Sequence, residues 1–155
     1  MTTFNSDIIA AGDPAKSGTY PQLTHFQVVI PITTTLVTAD LIKLFKLSAN
    51  ARLYEVYLDI SGALESGSAG LTGTFNDGTN TYTASAAVVS AATTTLGGII
   101  QAGGIGLLHR GATAGTFGVL QPTVDTVFQL TLGGTAGGAT AAARTINGWA
   151  LTKNE

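Results

Sequence analysis

The chain of 155 residues contains no cysteine, which excludes disulfide bonds, thiolate metal ligands and a cysteine nucleophile. Charge is also scarce: 10% of residues are Asp, Glu, Lys or Arg, against about 25% in an average soluble domain. The seven Lys and Arg residues form no cluster, and the net charge is −2. We therefore expect no nucleic-acid partner, because such binding relies on neutralising phosphates.

Small and uncharged residues take the place of charge. Gly, Ala and Thr make up more than two-fifths of the chain, and residues 78–108 contain no Asp, Glu, Lys, Arg or His. Thr, Ser and glycine pairs interrupt this stretch too often for a membrane span, so we expect no membrane partner. The first residues lack the basic and apolar regions of a signal peptide, which indicates synthesis in a cytoplasm.

The sequence divides into two parts. Residues 1–22 are punctuated by glycine and proline and show no period of 2 or 3.6, which predicts an extended N-terminal arm. Residues 23–155 carry frequent strand signals and predict a β-sandwich domain. A chain of this length is sufficient for one domain with a core of its own.

Two stretches show the alternation of a half-buried strand. In residues 53–60 the even positions are apolar, starting at Tyr54, while Glu55 and Asp59 lie on the other face. Residues 124–132 repeat this pattern, with Val124 and three later apolar residues sharing one parity. The predicted core includes Val56, Leu58, Ile60, Phe128 and Leu130. Weaker strand signals occupy residues 23–30, 40–47, 70–76, 105–110, 116–120 and 144–153.

Glycine-containing turns separate the predicted strands. Asp77-Gly78 supplies a residue suited to positive φ, whereas Asn147-Gly148 falls inside the last predicted strand and suggests a bulge or a hairpin. Residues 84–92 are compatible with a short helix or another strand. About eight short strands predict an all-β fold, either an antiparallel, jelly-roll-like β-sandwich or a small barrel, and of these we expect the sandwich.

The sequence offers no catalytic constellation. His25 and His109 are isolated, and no Gly-x-Ser-x-Gly elbow is present. Glu55 and Asp59 would lie about 13 Å apart along a strand, too far for paired-carboxylate hydrolysis. No His and carboxylate residues show the spacing of metal ligands. We therefore expect no enzyme activity, no cofactor and no metal.

Two blocks within residues 35–95 resemble small structural proteins of tailed bacteriophages. Residues 39–59, ADLIKLFKLSANARLYEVYLD, are similar to a stretch in which an aspartate opens a short strand that ends in a Lys-Leu-Pro-Ala-Asn-Ala-like turn. Ser48 stands where that family often has proline. Residues 73–78, GTFNDG, and the Ala-rich 84–92 resemble the second block. No functional residue carries over, but the resemblance implies that Asp40 opens a strand, that Asn50 occupies the turn and that Lys46 lies at the strand's end.

The resemblance implies a capsid decoration, or cement, protein on the exterior of a virion. Its partners would be the major capsid protein and further copies of itself, as a homodimer or homotrimer. An oligomer that touches several capsid subunits gains avidity from weak contacts, and an N-terminal arm extends that contact. The candidate protein-interface residues are Phe4, Ile8, Ile9, Pro14 and Tyr20.

A second function class stays open: a glycan- or receptor-binding β-sandwich module of a phage tail or fibre. Carbohydrate sites combine exposed aromatic rings with carboxylates or amides. Tyr57 with Asp59, or Trp149 with Asn147, would supply that combination. Because β-sandwiches host both functions, the fold does not separate them.

Overall fold

Strands dominate the computed structural model, which describes residues 1–61, 71–82, 86–87, 120–134, 138 and 144–154. Among these residues no helix has the length and apolar character needed to cross a bilayer. In chain order the elements are β1 (Thr3–Asn5), α1 (Asp7–Ala11), β2 (Gln22–Ile30), β3 (Leu41–Leu47), β4 (Ala51–Ser61), β5 (Leu71–Asn76), β6 (Ala86–Ala87), β7 (Thr126–Gly134) and β8 (Arg144–Asn154).

The strands form two sheets. One has five strands in the order β1-β3-β7-β5-β6, and the other has three in the order β2-β8-β4. β1 pairs with β3 in parallel, and the other neighbouring strands are antiparallel. The predicted all-β sandwich is therefore confirmed.

The predicted strands match the observed ones closely. The signals at 23–30, 40–47, 53–60, 70–76, 124–132 and 144–153 correspond to β2, β3, β4, β5, β7 and β8. The signal at 105–110 and most of 116–120 and 84–92 lie outside the described residues. Within the last of these, Ala86–Ala87 forms the short strand β6.

The core is built around phenylalanine rings. Phe26 of the three-stranded sheet meets Phe45 of the five-stranded sheet at a ring-centroid distance of 5.5 Å. Phe45 stacks on Phe128 at 5.1 Å, and Phe128 stacks on Phe75 at 5.6 Å. The buried set includes four of the predicted core residues, Val56, Leu58, Phe128 and Leu130. The side chain of Ile60 lies outside the described residues.

Two predicted inward positions are wrong. Val124 is 66% exposed, because β7 begins only at Thr126 and the alternation does not extend back to it. Tyr54 is half-buried, while its neighbour Leu53 is in the core. The cause is a register shift against β8 between Leu53 and Glu55, since a β-bulge changes which parity faces inward.

Gly148 lies within an uninterrupted strand, so the predicted bulge or hairpin at Asn147-Gly148 is wrong. Its pairing with β2 continues in register on both sides, and Gly148 faces Phe26 directly. A Cβ at this position would lie 2.6 Å from Phe26 Cζ and 2.5 Å from the Tyr57 carbonyl oxygen. Gly148 is therefore required by a close approach, not by a turn.

Gly148→Ala should destabilise the protein by about 1–3 kcal/mol, because the added methyl group overpacks the core against a strand backbone. The midpoint of urea unfolding measures the effect. Gly18→Ala is the matched control, since its Cβ would come no closer than 3.6 Å to Gln22 Cγ. Equal midpoints for the two variants would contradict the packing argument.

Candidate functional site

The N-terminal segment, residues 1–22, begins as part of the five-stranded sheet. β1 pairs with the first three residues of β3, and the Leu41 N–H donates to the Thr2 carbonyl at 2.9 Å. Asp40, which is 1% exposed, accepts hydrogen bonds from the N–H groups of Thr2 at 2.6 Å and Val37 at 2.9 Å. Asp40 thus ties the start of the chain to the start of β3, which it immediately precedes.

The middle of the segment forms the single turn of helix α1. Buried Ser6 caps it by accepting from the Ile9 N–H at 3.2 Å, and the Ser6 hydroxyl donates to the Leu44 carbonyl. The helix ends at Gly12 with φ of 80°. Asp7 Oδ1 accepts from the Gln27 N–H at 2.9 Å, so the segment also binds the edge of the three-stranded sheet.

The end of the segment crosses between the sheets. The Ala15 N–H donates to the Lys46 carbonyl at 2.6 Å, and the Lys16 N–H donates to Thr24 Oγ1 at 2.7 Å. The Asn154 N–H donates to the Gly18 carbonyl at 2.8 Å. Residues 15–18 are therefore hydrogen-bonded to β3 of the larger sheet and to β2 and β8 of the smaller one.

The five candidate interface residues have different surroundings. Phe4 and Ile8 are partly buried and pack against this chain's own core. Ile9 is half-buried, Pro14 is exposed, and Tyr20 is 77% exposed. Pro14 and Tyr20 therefore present the accessible surface of this set. The sequence has no period here because the segment changes from strand to helix to irregular chain within a few residues.

Three residues of the phage-like block occupy the places that the resemblance implies. Asp40 directly precedes β3, and Asn50 adopts a left-handed conformation with φ of 63°. Lys46, near the end of β3, forms an ion pair with Asp125 at 3.6 Å. Asp40 and Lys46 thus lie at the two ends of β3, and Asn50 lies in the turn that leads from β3 to β4 of the other sheet.

The loop after β5 is organised by the carboxylate of Asp77. Its oxygens accept from the N–H groups of Thr79 at 2.9 Å and Asn80 at 2.6 Å, and from the Tyr82 hydroxyl. Burial acts to raise the pKa of Asp77, but hydrogen bonds from Asn80, Tyr82 and Thr79 outweigh it and hold the pKa below its ordinary value of 3.8. Gly78 supplies the predicted positive φ, at 86°.

The structure brings together two aromatic residues that the sequence had placed in separate pairs. Tyr57 and Trp149 are register partners on β4 and β8, and their rings stack at 5.6 Å with an interplanar angle of 9°. His25 is exposed on β2, while His109 lies outside the described residues. In the described part of the chain no three His, Asp or Glu residues converge to hold a metal ion.

Comparisons with known proteins find a likeness in fold. No family model and no curated protein matches the chain. A chain in the solved structure of the cyanophage Pam1 capsid asymmetric unit superposes with a TM-score of 0.59. The match covers 87% of this chain and 85% of that chain, at 17% sequence identity. The likeness therefore shows a shared fold over most of both chains.

Asp77→Asn should reduce stability by about 1 kcal/mol at pH 7, since a neutral amide accepts these hydrogen bonds less strongly. A carboxylate with a lowered pKa contributes stability above its ordinary pKa of 3.8 and loses it as the pH falls through the lower value in the folded state. The deficit of the variant should therefore shrink between pH 7 and pH 3.

Urea unfolding at both pH values measures this change. Asp13→Asn, at an exposed position, controls for the loss of one negative charge. A deficit that stays constant with pH would show that the carboxylate's charge does not organise the loop.

Proposed function

We propose that this chain is a non-enzymatic virion protein that binds the outer surface of a phage capsid and holds neighbouring capsid subunits together. The observation that carries the proposal is the fold likeness to a chain of a cyanophage capsid asymmetric unit over 87% of this chain. The phage-like blocks in residues 39–59 and 73–78 support it independently. Together they favour a structural role in a particle over a freely diffusing one.

The surface chemistry suits assembly. Only 10% of the residues are charged. Docking therefore buries few charges in an interface, where each charge would need a partner. A protein that contacts several subunits at once dissociates slowly even when each contact is weak, because all contacts must break together. A sandwich with few charges therefore suits a lattice that presents the same surface many times.

The N-terminal segment supplies the proposed docking surface. Hydrogen bonds to Asp40, Gln27 and Thr24 anchor it, so its backbone is held in place before contact. Preorganisation lowers the ordering cost of binding. Tyr20 is the proposed anchor, because a large aromatic side chain that is 77% exposed offers the most area to a partner.

A second group of exposed apolar residues lies at the end of β2 and in the loop that follows it. Val29 is 54% exposed, Ile32 55% and Val37 41%. The buried guanidinium of Arg144 fixes the connecting loop by donating to the carbonyls of Pro31 at 3.2 Å and Thr34 at 2.7 Å. We assign this surface to contact with a further copy of the chain.

Tyr20→Ala should reduce binding to heads assembled without the protein by roughly tenfold or more per site, as expected when an interface anchor is truncated. Occupancy is measured by quantitative cryo-microscopy of heads titrated with the protein. Val124→Ala, which truncates another exposed apolar side chain, is the control. Deleting residues 2–20 would be a poor test, because it also removes β1 and uncovers the edge of β2.

Equal occupancy by Tyr20→Ala and by the unaltered chain would remove the segment from the docking surface. No binding of the unaltered chain to the heads would overturn the proposed function itself.

Ile32→Lys should convert a self-associated protein to a monomer of 15.7 kDa, because a charge at an apolar contact must be desolvated without a partner. Light scattering after size-exclusion chromatography measures the mass. Thr123→Lys places the same charge in another exposed loop and should leave the mass unchanged. A monomeric mass for the unaltered chain at every concentration would contradict self-association in solution.

A further inference from the structure

A groove of about 400 Å³ crosses the outer face of the three-stranded sheet. Strand register places two rows of outward side chains next to each other there. The first row runs from His25 through Trp149 to Tyr57, and the second contains Gln27 and Asn147. Asp7, from the N-terminal segment, lies at the rim beside Gln27. One wall is therefore mostly aromatic and the other carries amides and a carboxylate.

The aromatic wall keeps ring surface available to a ligand. Tyr57 and Trp149 are both half-buried. Their mutual stack uses one face of each ring, and the other face of each ring points away from the stack. Both residues line the groove. A free aromatic face matches the C–H face of a sugar ring. Stacking the two buries apolar area and places the C–H groups against the negatively charged centre of the aromatic ring.

The polar wall has hydrogen-bonding capacity to spare. Gln27 Nε2 donates to Asn147 Oδ1 at 2.8 Å, which fixes both amides. Among the residues that the structure describes, this leaves Gln27 Oε1 free to accept and Asn147 Nδ2 free to donate. Asp7 uses Oδ1 for the N–H groups of Ile8 and Gln27, and its Oδ2 has no hydrogen-bond partner within the described part of the chain. Donors and acceptors in one place suit vicinal hydroxyl groups.

We propose that this groove binds a pyranose ring of a neutral saccharide, with the free face of Trp149 contacting the ring face, Tyr57 supporting Trp149 from its other side, and Asp7, Gln27 and Asn147 binding the hydroxyl groups. The lining disfavours an anionic ligand, since none of the described residues that form it is lysine or arginine. A purely apolar ligand would leave the amides and the carboxylate without partners. The proposal does not depend on capsid binding.

The position of the single tryptophan makes a direct test possible. Trp149 is the one tryptophan of the chain, so its fluorescence reports on the groove alone. The probes are the methyl glycosides of glucose, galactose and mannose, and N-acetylglucosamine, each titrated to about 50 mM, above the millimolar Kd expected for one stacked ring. Sorbitol, a polyol without a ring face, controls for non-specific effects.

Saturation-transfer NMR of the same mixtures detects binding without relying on fluorescence. We expect the binding of at least one pyranoside to saturate with concentration, and we expect sorbitol not to bind. Asn147→Ala and Trp149→Ala should each weaken binding by roughly tenfold or more. Val124→Ala, which truncates an exposed side chain outside the groove, should leave binding unchanged. Gln27→Ala, at an exposed position, provides a further variant that does not alter the core.

Three results would overturn the proposal. One is the absence of binding by every pyranoside, and another is binding that sorbitol reproduces. The third is binding that survives in all three groove variants while their unfolding midpoints show them folded. If no sugar binds and Trp149→Ala instead lowers occupancy on heads, the groove is a protein-docking surface. Because the sugar titrations use the purified chain without capsids, their failure leaves the proposed capsid role standing.

Discussion

The contact of Phe26 with Phe45 joins the two sheets, and much of the fold depends on it. Phe26 reaches inward over Gly148, where a Cβ would lie 2.6 Å from its ring. Phe45 then continues through Phe128 to Phe75, so one line of rings crosses from sheet to sheet and along the larger sheet. With no disulfide and few ion pairs available to this composition, stabilisation depends on burial of the apolar core that these rings join.

The N-terminal segment also joins the two sheets. Rings fix the distance between the sheets at the centre, and the segment joins them at one edge through β3, β2 and β8. Ser6 and Ala15 are buried by this crossing. It also covers the edge of β2, where the backbone N–H of Gln27 donates to Asp7 and is no longer open to another chain. The residues left exposed, such as Tyr20, are the ones that remain for intermolecular contact.

The sequence predicts local regularity well and long-range pairing poorly. Strand signals located six strands, and the alternation in 53–60 and 124–132 was the clearest because the period of two survives where one strand face is buried. It misplaced Tyr54 because a bulge shifts the parity without any local sequence signal. Gly148 suggested a bulge or a hairpin. The position requires glycine for another reason, the close approach of Phe26, which is distant in sequence. The path of residues 1–22 could not be predicted from the sequence either, because its hydrogen bonds go to partners on three other strands.

The groove shows the same limit, and it links the two proposed surfaces. The sequence identified Trp149 and Tyr57 separately, but only strand register brings them into one aromatic wall. Asp7 belongs to the N-terminal segment and also to the rim of the groove. Its hydrogen bond to the Gln27 backbone fixes the position of the segment relative to the groove. Docking through the segment would therefore preserve the groove's shape, because the segment already has in the free chain the conformation that positions Asp7.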